Sequence, residues 1–337
     1  MRRPSGRFDA SIFQRLHSLR IQGSFRNTGP GQRPALCRVF ELVTTSGEVK
    51  GPIATRRRMR VGVMVPMSVS DGGGDGMPTW AEIRGFARQA EEGGLDSVWV
   101  CDHFLSGEIG RPAEGIHEGW TLTAALAAAT ERVQIGQLVT CVSFRNPGLL
   151  AKMAATADAI SGGRLVLGLG AGWYDPEYKA FGYPTDHRLS RLEEALGIIV
   201  PLLRGERVSF AGRHHRATDA VLLPPPEREI PILLAGDGPR LLQLTARCAQ
   251  MWNTAWFGAP DAELGRRFAA LDDTLTAEGR EPATLRRTVG VEFFDAPVEE
   301  ISTALVAHES FGVDEVIVGL RPSTRESLAR LTQSIRS

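Results

Sequence analysis

From Met59 onward the chain alternates short, almost uninterrupted apolar runs with longer segments of helical periodicity, and it does so eight times. The apolar runs are Val61–Val65, Ser97–Cys101, Val133–Thr140, Leu165–Leu169, Ile232–Ala235, Met251–Thr254, Thr288–Phe293 and Glu315–Val318. A half-exposed strand alternates polar and apolar residues. These runs do not, so they read as strands of a parallel sheet covered on both faces. The helices between them carry their own punctuation. Thr79 caps one whose apolar positions are Ile83, Phe86, Ala87 and Ala90 and which stops at Gly93-Gly94. Others run over Thr121–Ala129, Pro147–Ile160, 187–204, Pro239–Cys248, Asp261–Glu278, Val298–His308 and Thr324–Ile335, and the polar stretch 206–228 predicts an extra hairpin. Eight βα units in about 280 residues are more than a doubly wound sheet usually holds. They predict an α/β fold, a (β/α)8 TIM barrel with insertions at its C-terminal face. Chemistry in such a barrel gathers at the C-terminal strand ends.

Residues 1–58 have a different composition. They hold eleven Arg and one Lys against Asp9, Glu41 and Glu48, a net charge of +9, and the remainder of the chain carries −9. Apolar residues are sparse there and no apolar run follows the basic start, so the segment does not read as a secretory signal. It is either a disordered basic extension or upstream sequence from a start codon assigned too early. Residues 59–337 form the barrel domain. The acidic body gives no reason to expect nucleic-acid binding, and no apolar run approaches a membrane span. Cys37, Cys101, Cys141 and Cys248 are widely spaced, without a Cys-X-X-Cys pair. That pattern argues against a zinc cluster or a disulfide framework and for a reducing cytoplasm.

Several strand ends carry chemistry-bearing residues. Ser97–Cys101 runs into Asp102-His103, a pair suited either to a ligand's polar edge and acid–base work or to a cap and a structural imidazole. The strand ending at Thr140 leads to Ser143, Arg145 and Asn146. Leu165–Leu169 opens into Gly170-Ala171-Gly172-Trp173, and Ile232–Ala235 opens into Gly236-Asp237-Gly238. Glycines there allow positive φ and close approach of backbone amides to an anion. Two glycine-rich junctions, an Asp-His pair and aromatics around one mouth favour a bulky, planar, phosphorylated ligand. No Gly-X-Gly-X-X-Gly with a following acidic residue supports a Rossmann nicotinamide site, and no Walker lysine is present. His214-His215 has no His-Glu-X-X-His context, so no metal is expected.

These motifs resemble the bacterial luciferase-like monooxygenase superfamily, and within it the branch that depends on the deazaflavin coenzyme F420. The resemblance runs from about Arg60 to Ser337. It rests on Ser97-Val-Trp-Val-Cys-Asp-His-Phe104, on Leu138-Val-Thr-Cys-Val-Ser-Phe-Arg-Asn-Pro-Gly-Leu-Leu-Ala-Lys152, on Ile160-Ser-Gly-Gly-Arg-Leu-Val-Leu-Gly-Leu-Gly-Ala-Gly-Trp173 and on Ile230-Pro-Ile-Leu-Leu-Ala-Gly-Asp-Gly-Pro239. It implies a TIM barrel and an oxidoreductase moving a hydride between reduced coenzyme F420 and an organic substrate. It also implies that His103 and Asp102 are the catalytic residues, facing the cofactor ring, and that Val139 and Thr140 meet the ring near a non-prolyl cis peptide. The turns Gly170, Ala171, Gly172, Trp173 and Ala235, Gly236, Asp237, Gly238 would hold the ribityl phosphate. Some relatives place a catalytic acid where this chain has Trp173, a departure that puts the transfer of a sugar-phosphate dehydrogenase role in doubt. The alternatives are an FMN-dependent monooxygenase supplied by a flavin reductase partner, and a non-catalytic flavin-binding protein. A cytoplasmic homodimer acting on a small molecule completes the expectation.

Overall fold

A computed structural model describes residues 58–72, 76–107 and 112–336. Apart from Arg58, the expected basic extension 1–58 lies outside the described residues. Eight parallel strand positions close into a barrel, which removes every exposed sheet edge. Strand β1 (Arg60–Met64) pairs with β2 (Ser97–Val100) and β2 with β3 (Gln134–Gln137). The ring continues through β5 (Leu165–Gly170), β8 (Ile232–Ala235), β9 (Met251–Phe257), β10 (Arg286–Phe294) and β11 (Glu315–Arg321), which returns to β1. The expected strand Val133–Thr140 is in fact two pieces. After β3 the Leu138–Val139 peptide is cis, and a two-residue strand β4 (Thr140–Cys141) then pairs with the C-terminal end of β5.

Helices α1 (Trp80–Glu92), α2 (Gly119–Ala129), α3 (Pro147–Ile160), α4 (Asp175–Ala180) and α5 (Arg188–Leu203) come first around the barrel. They are followed by α6 (Pro239–Cys248), α7 (Ala262–Ala277), α8 (Val298–Phe311) and α9 (Arg325–Ser334). The Thr79 cap is a full capping box: Thr79 Oγ1 accepts from the Glu82 amide, and Glu82 accepts from the Thr79 amide at 2.7 Å. The predicted hairpin is antiparallel, β6 (Val208–Ala211) with β7 (Arg216–Ala220). Because it follows α5, its connection begins at the end opposite the mouth. The long connections that follow β1, β2 and β5 do start from the C-terminal face.

Strand residues alternate between two apolar cores. Val61, Val63, Val98, Val100, Val316 and Val318 point outward against the helices. Trp99, Val166, Leu233, Met251 and Ile317 fill the barrel. The Trp99 indole is fully buried and takes the space that side chains on both neighbouring strands would use. A Cβ at Gly136 would lie 2.3 Å from Trp99, and one at Gly62 would lie 2.1 Å from Ser97 Oγ and 2.8 Å from the indole nitrogen. Below the indole the barrel is polar. Trp99 Nε1 donates to Ser97 Oγ (2.7 Å), and Ser97 donates to the buried Glu315 carboxylate (2.6 Å). Burial pushes the Glu315 pKa up, and Arg60 and Arg286, at 3.6 and 3.4 Å, oppose that shift.

Gly136→Ala should therefore overpack the barrel and lower unfolding free energy by about 1–3 kcal/mol, read from a denaturant midpoint. Adding Trp99→Phe should recover part of that loss, and full additivity of the two changes would contradict the packing account. A second expectation concerns His308 of α8, which is fully buried and donates from Nδ1 to the Ala304 carbonyl at 2.8 Å. Desolvation lowers its pKa from the ordinary 6.5. The folded state thus binds this proton less readily than the unfolded chain. Its contribution is complete above about pH 6.5 and is lost as pH falls toward the folded value. His308→Leu should flatten the acid limb of a stability–pH curve.

Candidate active site

His103 leaves the C-terminal end of β2 with its side chain about one quarter exposed. Its Nδ1 lies 2.9 Å from Oε1 of Glu177, whose other oxygen accepts from the Phe104 amide at 2.9 Å. A carboxylate only accepts, so Nδ1 carries the proton and Nε2 is left as the free lone pair. Glu177 is on α4, is 1% exposed and did not figure among the residues expected from the sequence. The only hint was its place two residues into an Asp-Pro-Glu helix start just after the glycine turn. Trp173 packs edge-on against the imidazole, with centroids 5.9 Å apart, and is itself half exposed. Phe104, Phe144, Phe181 and Tyr183 continue this aromatic wall.

Asp102 is placed differently from its neighbour. Its carboxylate is 2% exposed and takes both arms of the Arg145 guanidinium, at 2.5 and 2.9 Å, together with the Cys141 amide at 2.9 Å. Burial raises the Asp102 pKa and the Arg145 hydrogen bonds oppose it. Arg145 also reaches Glu118 (2.7 Å), whose carboxylate caps α2. Asp102 thus ties the end of β2 to β4, with three hydrogen bonds already on its carboxylate. Thr140 also departs from expectation. It is fully buried and donates to the Gln137 side chain (2.6 Å), which in turn donates to Thr123 (3.1 Å). The residue that reaches inward is Val139. It packs on the barrel core against β5, where a Cβ at Gly170 would lie 2.5 Å from it.

The two glycine turns differ in kind. Gly172 has φ +79°, and a Cβ there would collide with Tyr178 Oη at 2.0 Å and Cys141 Sγ at 2.6 Å. Tyr178 also donates to the Ala171 carbonyl (3.0 Å). This turn needs glycine for packing. The Cys141 thiol beneath it is pushed up to about 11 by burial, so it stays protonated. At the other turn, Gly236 has φ +130° and its carbonyl is held by Trp252 Nε1 at 2.6 Å. Gly238 caps α6 and opens onto free space, with nothing within 4 Å of a Cβ. Asp237 pairs with Arg267 at 3.0 Å, and Ala235 packs at the top of the barrel core.

A third group completes the mouth. Arg321 ends β11 between Asp71, which follows β1, and Glu292 on β10 (3.2 Å). Cys101 lies between this group and Asp102, and feels the charges of all three residues Asp71, Asp102 and Arg321. Among the described residues no group of three His, Cys, Asp or Glu is placed to hold a metal, and no helix is long and apolar enough to cross a membrane.

The sequence pattern of the luciferase-like monooxygenase family matches residues 59–321. An F420-dependent glucose-6-phosphate dehydrogenase of Amycolatopsis mediterranei is 38% identical over 168 residues, 48% of this chain and 49% of that protein. One from Kineococcus radiotolerans is 34% identical over 220 residues, 63% of each. An F420-dependent hydroxymycolic acid dehydrogenase of Mycobacterium tuberculosis is 33% identical over 208 residues, 59% of this chain and 55% of that one. The matches therefore span between about half and just under two thirds of these relatives. Among solved structures, an F420-dependent secondary alcohol dehydrogenase in complex with an F420–acetone adduct has a TM-score of 0.71. At 18% identity, over 83% of this chain and 98% of that one, it shows the shared fold.

Replacing Arg145 with Met would leave Asp102 buried without its countercharge. Breaking such a pair from one side costs about 3–5 kcal/mol. A loss below about 1 kcal/mol in a denaturant titration would mean that Asp102 is not held as described.

Proposed function

Because the chain belongs to the luciferase-like monooxygenase family, we propose that its barrel mouth binds coenzyme F420 and moves a hydride between that deazaflavin and a small organic substrate. The observation that carries this reading is the His103–Glu177 pair at the strand-end face, with Nε2 free and Nδ1 held by a buried carboxylate. The mouth has features that suit the cofactor. Val139 offers an apolar floor, Trp173 a planar wall, and Gly238 an open position at the start of a helix, where a phosphate is favoured. When bound, coenzyme F420 supplies the two-electron hydride chemistry, and the protein contributes orientation and electrostatics. The F420-dependent relatives support this choice over FMN, and a flavin reductase partner enters only under the FMN alternative.

His103 handles the proton. When a substrate hydroxyl becomes a carbonyl its proton must leave, and Nε2 is the base that faces the mouth. Glu177 fixes the tautomer and stabilises the imidazolium that forms, a positioning role like that of a buried carboxylate behind a catalytic histidine. In the reverse direction the same imidazolium returns the proton. Asp102 positions β4 and takes no proton. The free thiols of Cys101, Cys141 and Cys248 support a reducing compartment, and we place the enzyme in the cytoplasm as a homodimer.

Titration with F420 and with FMN, followed by fluorescence quenching, should show preference for the deazaflavin. His103→Ala should lower turnover by about 10²–10⁴-fold with the affinity for F420 largely kept. Glu177→Gln should lower it less and displace the pH profile, which a residue that only fills space would not do. Tight binding of FMN alone, or normal turnover by His103→Ala, would sink the reading.

A further inference from the structure

We infer that this mouth excludes phosphate-bearing and other anionic substrates and takes an uncharged hydroxyl or carbonyl compound with an apolar body. Asp71 and Glu292 set that specificity by closing on Arg321. The inference rests on the hydride-transfer reading of the site and names its substrate class.

A phosphomonoester carries a charge of about −1.5 to −2 near neutral pH and is bound by guanidinium, ammonium or several aligned N–H groups. Among the described residues, the guanidiniums around the strand ends already have carboxylate partners. Arg321 is held on one arm by Asp71 and on the other by Glu292, at 3.2 Å. The clamp is itself anchored. Asp71 Oδ2 accepts from the Met67 and Ser68 amides at 2.8 Å each, and the Asp71 carbonyl accepts from the Ser323 amide at 2.7 Å. Those contacts hold the Asp71 carboxylate in place against Arg321. Arg145 is engaged by Asp102 and Glu118, and Arg267 by Asp237 and Glu263.

The balance of charge points the same way. The group around Arg321 has two carboxylates to one cation, and so has the group around Arg145. Glu177 adds a further carboxylate behind His103. A substrate anion placed beside these two groups meets a surplus of negative charge, and like charges brought together are a means of rejecting a partner. On the other side of His103 the surface is apolar. Trp173 is 49% exposed and Phe181 53%, and Phe104 stacks with Phe181 and Tyr183 at 5.0 and 5.8 Å. A hydroxyl at His103 with an apolar body along that wall suits both sides.

The test compares glucose 6-phosphate, glucose and a series of uncharged secondary alcohols of growing apolar size, with F420 reduction followed optically. Binding of inorganic phosphate and of glucose 6-phosphate is measured by calorimetry on the F420-loaded protein, in which the cofactor occupies the turn that suits its own phosphate. The expected result is turnover of the alcohols that rises with apolar size, with glucose 6-phosphate lower by about 10²-fold or more in kcat/KM. The wild type should bind neither phosphate compound measurably. Glu292→Gln releases one arm of Arg321 and should tighten binding of both by about tenfold, the scale of one charge-assisted hydrogen bond. Preferred turnover of glucose 6-phosphate, or phosphate binding to the wild type that Glu292→Gln leaves unchanged, would overturn the inference. If F420 itself fails to bind, the hydride-transfer reading falls, and the same titration of the cofactor-free protein still tests the clamp: anion binding that Glu292→Gln strengthens supports it, and binding that Glu292→Gln leaves unchanged overturns it.

Discussion

A closed ring of eight strands encloses a space that must be filled, and here one indole does most of that. Trp99 occupies the middle of the barrel, and the glycines at 62 and 136 on the adjoining strands exist because their side chains would collide with it or with Ser97. Its nitrogen is satisfied by Ser97, which binds Glu315, so the same residue also anchors the polar layer below. A buried indole without that partner would leave a donor unmet. With the lower half filled in this way, the upper half can stay open as a mouth.

The shape of the mouth follows from glycines on β5. Where β3 breaks, Leu138 and Val139 turn inward, and Gly168 and Gly170 leave the room: a Cβ at Gly168 would lie 1.8 Å from the Gln137 carbonyl. Val139 becomes the floor, and β4 resumes beyond it in register with the end of β5. The chain after β5 then folds back through α4, which delivers Glu177 beneath His103. The His103 imidazole therefore takes its carboxylate partner from a helix more than seventy residues away in sequence.

Charge at this face is kept in closed groups. Asp102, Arg145 and Glu118 form one, and Asp71, Arg321 and Glu292 another. A charge taken out of water unpaired is costly, so the buried Arg145 guanidinium is met by two carboxylates, and the half-buried Arg321 is aimed by two more. The two groups leave the mouth with a surplus of negative charge and leave its aromatic side exposed. They also separate two neighbours in sequence: Asp102 is tied into a buried ion-pair group, and His103 stays part-exposed beside Glu177.

The periodicity of the chain by itself determined the barrel, the order of its elements and the face on which function sits, because strands buried on both sides must be continuously apolar and helices must cover them. It also marked His103 and the Gly236–Gly238 turn, since both lie within a residue or two of a strand end. Only the tertiary structure decided what those residues touch. Gly172 reads as a phosphate cradle in sequence, and the fold adds a packing demand on the same residue from Tyr178 and Cys141. Thr140 reads as a wall of the mouth and is turned away toward Gln137. Glu177 could not be singled out, because its role depends on a distance of 2.9 Å closed by the path of the chain and not by any local pattern. Side-chain direction and charge pairing across distant segments are properties of the folded ring, and spacing along one strand does not contain them.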